Sequence, residues 1–73
     1  MATASIDILI KRLRELRKKT GLTQEQFAER IGVSYKYYQQ IELGNKRELR
    51  LSTVDRLAKG LNIDPSALIR LGR

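Results

Sequence analysis

Apolar residues recur at helical spacing along the whole chain, and no stretch alternates as a half-buried strand does. The first stretch forms one apolar stripe, made of Ile6, Leu9, Ile10, Leu13 and Leu16. Four further stretches follow, separated by glycines and short polar turns. The pattern predicts five helices in a single all-α domain over residues 1–73, with Phe27 and Tyr38 in its core.

Polar residues ahead of each apolar stretch predict where the helices begin. The N-cap candidates are Ser5, Thr23, Ser34, Ser52 and Asp64. Thr23 and Gln26 have the spacing of a capping box, and Ser52 with Asp55 is a variant of it. Pro65 suits the first position of the last helix. Glycines at 21, 32, 44 and 72 are predicted to end helices.

Two short stretches joined at Gly32 predict a helix-turn-helix over about 23–43. Gly32 tolerates the positive φ that a tight turn needs, and Ala28 is small enough for a close helix crossing. Stepping 100° per residue along the second helix, 35–43, turns Tyr38 and Ile41 toward the core. The opposite side carries Lys36, Gln39, Gln40 and Leu43. Its polar members suit the DNA major groove, because glutamine pairs with adenine and lysine with guanine.

The amino-acid composition excludes several classes of function. The 73 residues carry 15 Lys and Arg against 8 Asp and Glu, a net charge of +7, and contain neither cysteine nor histidine. A disulfide framework, an ordinary zinc site and histidine-assisted nucleophilic catalysis are therefore excluded. We expect no enzyme, metal, cofactor or small-molecule ligand. No secretion signal or membrane span is apparent, so a cytoplasmic protein is expected.

Charge and size suggest the partners. Lys46, Arg47 and Arg50 cluster after the proposed groove-facing helix, where phosphate contact is expected. The basic residues of the first helix are predicted to be solvated, apart from Arg17. A chain this short has a thin margin of stability, which favours a homodimer. Three apolar residues are not needed to complete the apolar face of a helix: Ile8, Leu49 and Leu71. We expect them to be either dimer contacts or ordinary exposed side chains.

Residues 21–34, GLTQEQFAERIGVS, resemble the opening of Cro and phage-repressor domains of the XRE family. The segments IELG at 41–44 and LAKGL at 57–61 continue the likeness, which covers roughly 9–71. The resemblance implies a compact five-helix, lambda-repressor-like domain. It also implies a transcriptional regulator, typically a repressor that binds a palindromic operator in double-stranded DNA as a homodimer.

The resemblance assigns roles to individual positions. Base contacts are implied for Tyr35, Lys36, Gln39 and Gln40. Phosphate contacts are implied for Thr23, Gln24, Asn45, Lys46, Arg47 and Arg50, and Tyr37 either contacts the sugar-phosphate backbone or covers the domain surface. A structural ion pair is implied between Arg17 and Glu42. The bulky run at 35–38 departs from the family pattern. Tyr38 stands where a branched aliphatic residue is common, so its hydroxyl must reach either a polar partner or the edge of the domain.

Other functions fit parts of the sequence. A regulator of the antitoxin or restriction-controller type would share the DNA chemistry and add a protein partner. A helix-turn-helix used only for protein contact should present an apolar face, whereas this one presents Lys36, Gln39 and Gln40. A membrane-surface helix at 6–19 would compete with the core for the same apolar stripe.

Overall fold

The computed structural model describes residues 2–46 and 48–70, with side chains from residue 7 onward except that of Ile69. Five helices lie over Ala2–Thr20 (α1), Gln24–Ile31 (α2), Tyr35–Glu42 (α3), Leu51–Leu61 (α4) and Pro65–Arg70 (α5). The described residues contain helices and connecting turns only, which confirms the predicted all-α fold. None of these helices is both long enough and apolar enough to cross a membrane.

The apolar faces of the helices meet in one core. Its buried members include Leu13, Phe27, Ile31, Tyr38, Ile41, Val54, Leu57, Leu61 and Leu68. Phe27 and Tyr38 are fully buried, as predicted, and their ring centroids lie 5.2 Å apart at a tilt of 54°. A buried aromatic of this size contributes roughly 1.5–3 kcal/mol through apolar burial alone. The aromatic pair therefore fixes α3 firmly on α2.

Helices α2 and α4 approach each other very closely at Gly60. A Cβ atom at this position would lie 2.4 Å from Cγ2 of Ile31 and 2.9 Å from Cζ of Phe27. Glycine lowers intrinsic helix stability by about 1 kcal/mol relative to alanine. Here the absence of a side chain lets the two helices come into contact, and so holds the helix-turn-helix against α4.

Two predicted helix starts are wrong. Ser5 lies inside α1, which begins at Ala2, rather than capping it. Helix α4 begins at Leu51, and its N-cap is Arg50, two residues before the predicted cap Ser52. Arg50 makes no side-chain capping hydrogen bond. The earlier start is consistent with the burial of Thr53 and Val54, of which Val54 belongs to the core. Tertiary packing, and not local capping by Ser52 and Asp55, therefore sets this boundary.

The surplus apolar residues have different surroundings. Leu49 is half-buried and packs against the core, so it is not an ordinary exposed side chain. Ile8 is exposed on α1. Leu71 and Gly72, the predicted end of the last helix, lie outside the described residues. At the start of that helix, Oδ1 of Asp64 accepts a hydrogen bond from the Ser66 N–H (2.9 Å), as expected of an N-cap.

Candidate nucleic-acid interface

Polar contacts fix the start of α2 and the turn between α2 and α3. Thr23 Oγ1 accepts a hydrogen bond from the Gln26 N–H (3.1 Å), and the Gln26 side chain accepts one from the Thr23 N–H (3.0 Å). The predicted capping box is thus confirmed. Gly32 ends α2 with φ 77°. Ser34 then caps α3 by accepting a hydrogen bond from the Tyr37 N–H (3.1 Å), so both helices are fixed at their joined ends.

The core anchors of α3 determine which face is presented to solvent. Tyr38 and Ile41 are fully buried, as the periodicity predicts. The residues expected to contact bases lie on the other side: Tyr35 and Lys36 are exposed, and Gln39 and Gln40 are half-buried. One helix therefore carries all four residues, and none of them is buried.

A buried carboxylate, that of Glu42, joins three helices below this face. Arg17 of α1 donates from Nε to Glu42 Oε2 (2.6 Å) and from Nη2 to Oε1 (3.3 Å). The Tyr38 hydroxyl donates to Oε2, which gives this tyrosine the polar partner that its burial requires. Gln24 Nε2 of α2 donates to Oε1 (2.8 Å). Every oxygen of this carboxylate is thus engaged, as a buried charge needs.

These contacts decide the ionisation of Glu42. Burial alone would raise the pKa of Glu42, but hydrogen bonds from Arg17, Tyr38 and Gln24 outweigh it, and the net pKa lies below its usual value. The same hydrogen bond to Glu42 raises the pKa of Arg17. Burial, followed by the hydrogen bond to Glu42, raises the pKa of the Tyr38 phenol. The cluster is therefore a carboxylate, a guanidinium and a neutral phenol at neutral pH.

The two residues expected to bind phosphate at the start of α2 have different surroundings. Thr23 is exposed at the helix N-terminus, where free N–H groups favour anions. Gln24 is half-buried and one N–H of its amide is engaged by Glu42. That hydrogen bond orients the Gln24 amide and leaves its second N–H available to a phosphate oxygen.

An open cavity of about 440 Å³ lies between α3 and the start of α4. It brings together Tyr37, Lys46 and Arg50, three residues expected to contact phosphate, and adds Arg56, with Glu48 as a single opposing charge. Lys46 Nζ lies 5.5 Å from the Tyr37 ring centroid, within range of a cation–π contact. This groove, which we call the cationic groove, is large enough to admit a phosphate group.

Asn45 follows α3 directly and is exposed. Its Nδ2 donates to Oε1 of Gln40 (2.7 Å), so the structure joins one residue expected to contact phosphate to one expected to contact a base. Arg47, also expected to contact phosphate, lies outside the described residues.

Comparison with known proteins identifies the family to which this chain belongs. The sequence pattern of the helix-turn-helix family matches residues 13–68, which begin in the second half of α1 and reach into α5. The chain belongs to the XRE family of helix-turn-helix domains. This is a family of DNA-binding regulatory domains and is not typically enzymatic.

A curated relative supports the same assignment. The XRE-family domain is 46% identical over 57 residues to a propionyl-CoA carboxylase regulator from Cereibacter sphaeroides. The match covers 78% of the chain and 12% of that regulator, so the domain spans about an eighth of the length of this relative. No solved structure is significantly similar to the chain.

Sequence reasoning missed two arginines that stabilise the XRE-family domain. Arg14, predicted to be solvated, donates from Nη2 to the Glu42 carbonyl at the end of α3 (2.7 Å). Arg56 Nη1 donates to the carbonyls of Ile31 and Gly32 at the end of α2 (3.1 and 3.2 Å). Cations favour helix C-termini, but both come from another helix, so no local spacing could have indicated them.

Proposed function

We propose that this domain binds double-stranded DNA sequence-specifically, as the DNA-binding part of a transcriptional repressor in the cytoplasm. The observation that carries the proposal is the accessible face of α3, with Lys36, Gln39 and Gln40 held over a packed core. An α-helix fits the major groove, where these side chains have the donors and acceptors that distinguish bases. The relative described as a regulator supports the assignment to transcription.

The surroundings of that face support contacts to the DNA backbone. The α2 N-terminus, with Thr23 and Gln24, begins the helix-turn-helix, and residues that follow α3 line the cationic groove. In the proposed complex these two regions hold phosphates while α3 reads the bases. Four or five phosphates per subunit would then be neutralised, and the net charge of +7 favours this association.

Selection of bound sequences from a random pool of double-stranded DNA tests the proposal. We expect an enriched palindrome whose half-sites lie about one helical turn, roughly 34 Å, apart. A dimer contacting about eight to ten phosphates should show a log–log salt slope of about −7 to −9. Recovery of no preferred sequence, together with a salt slope near zero, would exclude specific DNA binding.

Matched lysine variants separate base contact from general charge. Lys36→Ala should weaken binding to the selected site by about 1–3 kcal/mol and relax its base preference. Lys59→Ala removes the same charge from an exposed position of α4 outside the proposed interface, and should leave base preference unchanged. Equal losses for Lys36→Ala on all sequences would restrict Lys36 to phosphate contact.

The homodimer is part of this proposal. Two copies on one palindrome would double the phosphate contacts, which explains the steep salt dependence expected above. Sedimentation equilibrium of the protein with one selected duplex measures the stoichiometry directly. We expect two chains per duplex; one chain per duplex would contradict the homodimer and leave DNA binding in place.

A second function, protein contact through the same face, is favoured by one observation. Leu43 is 62% exposed at the end of α3, and Tyr35 is exposed at its start. Exposed apolar and aromatic side chains of this kind are common at protein interfaces. A regulator with an additional protein partner would use both functions. Leu43→Ser should reduce binding of such a partner and leave the selected DNA sequence unchanged.

A further inference from the structure

Gln40 lies on the proposed base-reading face of α3. Its side chain accepts a hydrogen bond from Asn45, which follows the end of that helix. We propose that Asn45 is a positioning residue that gives Gln40 a preference for guanine over adenine. The inference rests on the proposed function, because it concerns which base Gln40 selects.

The backbone after α3 places Asn45 beside Gln40. Gly44 adopts φ 83°, and its N–H donates to the Ile41 carbonyl (3.1 Å). The Asn45 N–H donates to the Gln40 carbonyl (3.0 Å). This pair of hydrogen bonds is a Schellman motif, which brings the second residue after the cap back over the last turn. The position of Asn45 is therefore set by the helix end and not by a free loop.

The side chains are joined as well. Nδ2 of Asn45 donates to Oε1 of Gln40 over 2.7 Å. An amide has an acceptor oxygen with two lone pairs at one end and two N–H donors at the other. Since the hydrogen bond turns the oxygen of Gln40 toward Asn45, the opposite end of the amide, its NH₂ group, is the end that turns outward.

The free end of the amide decides which base is recognised. Bidentate pairing with adenine requires a glutamine oxygen that accepts from N6 and an N–H that donates to N7. Guanine presents two acceptors, N7 and O6, at the same edge. An NH₂ group turned toward the base matches the two acceptors of guanine, whereas pairing with adenine needs the oxygen, which Asn45 holds turned toward itself. Asn45 thus selects between the two purines without contacting either.

Substitution at Asn45 can reverse this orientation. Asn45→Asp can only accept hydrogen bonds, so it would engage the NH₂ group of Gln40 and turn the oxygen outward. We expect the selected base to change from guanine to adenine, with the guanine-to-adenine ratio falling at least about fivefold. Asn45→Ala leaves both orientations open and should give an intermediate ratio. General loosening of the helix end would only flatten the preference, and would not reverse it.

The experiment is sequence selection from random double-stranded DNA, with the wild type, both Asn45 variants and Gln40→Ala. Gln40→Ala identifies the position that Gln40 reads, because preference is lost there. Lys46→Gln makes the same unit change in charge as Asn45→Asp, one residue away. It should lower affinity for every sequence and keep guanine at that position. Circular dichroism of each variant verifies that the helix content of the domain is unchanged.

The outcomes separate the two proposals. Loss of preference at one position in Gln40→Ala, with guanine in the wild type and adenine in Asn45→Asp, supports the positioning role. Adenine in the wild type, or an unchanged base in Asn45→Asp, overturns it while specific DNA binding stands. Absence of any enriched sequence in the wild type overturns the proposed function, and the inference with it.

Discussion

Arg17 and Glu42 form a buried ion pair that joins α1 to the last turn of α3. Arg17 Nε lies 2.6 Å from Glu42 Oε2, and the two residues are only 8% and 2% exposed. Because α3 carries the proposed base-reading face, this pair fixes the interface to the rest of the domain. Its geometry is the one that the family resemblance implies for these two positions.

Removing one member of the pair should destabilise the domain strongly. In Arg17→Met the Glu42 carboxylate remains buried without its guanidinium, and such losses cost about 3–5 kcal/mol. Urea denaturation followed by circular dichroism measures the free energy of unfolding. The matched control is Arg12→Met on the same helix, where the ion pair with Glu15 (3.1 Å) is exposed and contributes about 0–1 kcal/mol. Equal losses in the two variants would contradict the importance of burial.

The ionisation of Glu42 predicts loss of stability in acid. Its pKa is lowered in the folded state, so the carboxylate stabilises the fold above its unfolded pKa near 4.5. That stability is lost as the pH falls through the lower, folded pKa. We expect the melting temperature to decrease below about pH 4.5. Glu42→Gln should flatten this dependence, although it lowers stability at pH 7.

Asp64 provides the control for the acid transition. Its pKa is also lowered, through hydrogen bonds from the Ser66 N–H and hydroxyl, but it is fully exposed. Asp64→Asn should therefore retain most of the pH dependence of the wild type. If Asp64→Asn flattens the acid transition more than Glu42→Gln does, the buried carboxylate is not its main source.

Much of the helix-turn-helix follows from local sequence. Thr23 and Gln26 satisfy each other's backbone within four residues, and Gly32 supplies the left-handed turn. Periodicity alone orients Tyr38 inward. These features were predictable because each depends on residues less than about two turns apart in the chain.

The polar contacts between helices were beyond such reasoning. Arg14 donates to a carbonyl 28 residues away along the chain, and Arg56 donates to two carbonyls that lie 25 and 24 residues away. The sequence gives no periodic signal for such contacts, because they are made by long, flexible side chains. Gln24 was assigned to phosphate by resemblance, but its hydrogen bond to Glu42 depends on how α2 packs on α3. Sequence therefore indicated which residues form the proposed interface, and the fold determined how several of their amides are oriented.

The C-terminus of α4 offers a conformational test. Asn62 adopts φ 59° and ψ 43°, and its N–H and that of Ile63 donate to carbonyls of the last turn of α4. Asparagine tolerates this left-handed conformation better than other residues with a Cβ atom. Asn62→Ala should therefore lower the free energy of unfolding by about 1 kcal/mol. Asn62→Gly, which has no Cβ, should equal or exceed the wild type in stability. A stabilised Asn62→Ala would contradict the left-handed cap.

The close approach of α2 and α4 at Gly60 sets two effects against each other. Gly60→Ala gains about 1 kcal/mol of helix propensity. The added Cβ would lie 2.4 Å from Ile31 Cγ2 and 2.9 Å from Phe27 Cζ, and overpacking of a tight core costs about 1–3 kcal/mol. Both neighbours are buried, which leaves them little room to move. We therefore expect a net loss of stability, measured by thermal unfolding. Lys59→Ala, exposed on the same helix, should change stability by less than about 0.5 kcal/mol. A Gly60→Ala variant more stable than Lys59→Ala would mean that α4 can withdraw from α2 at little cost.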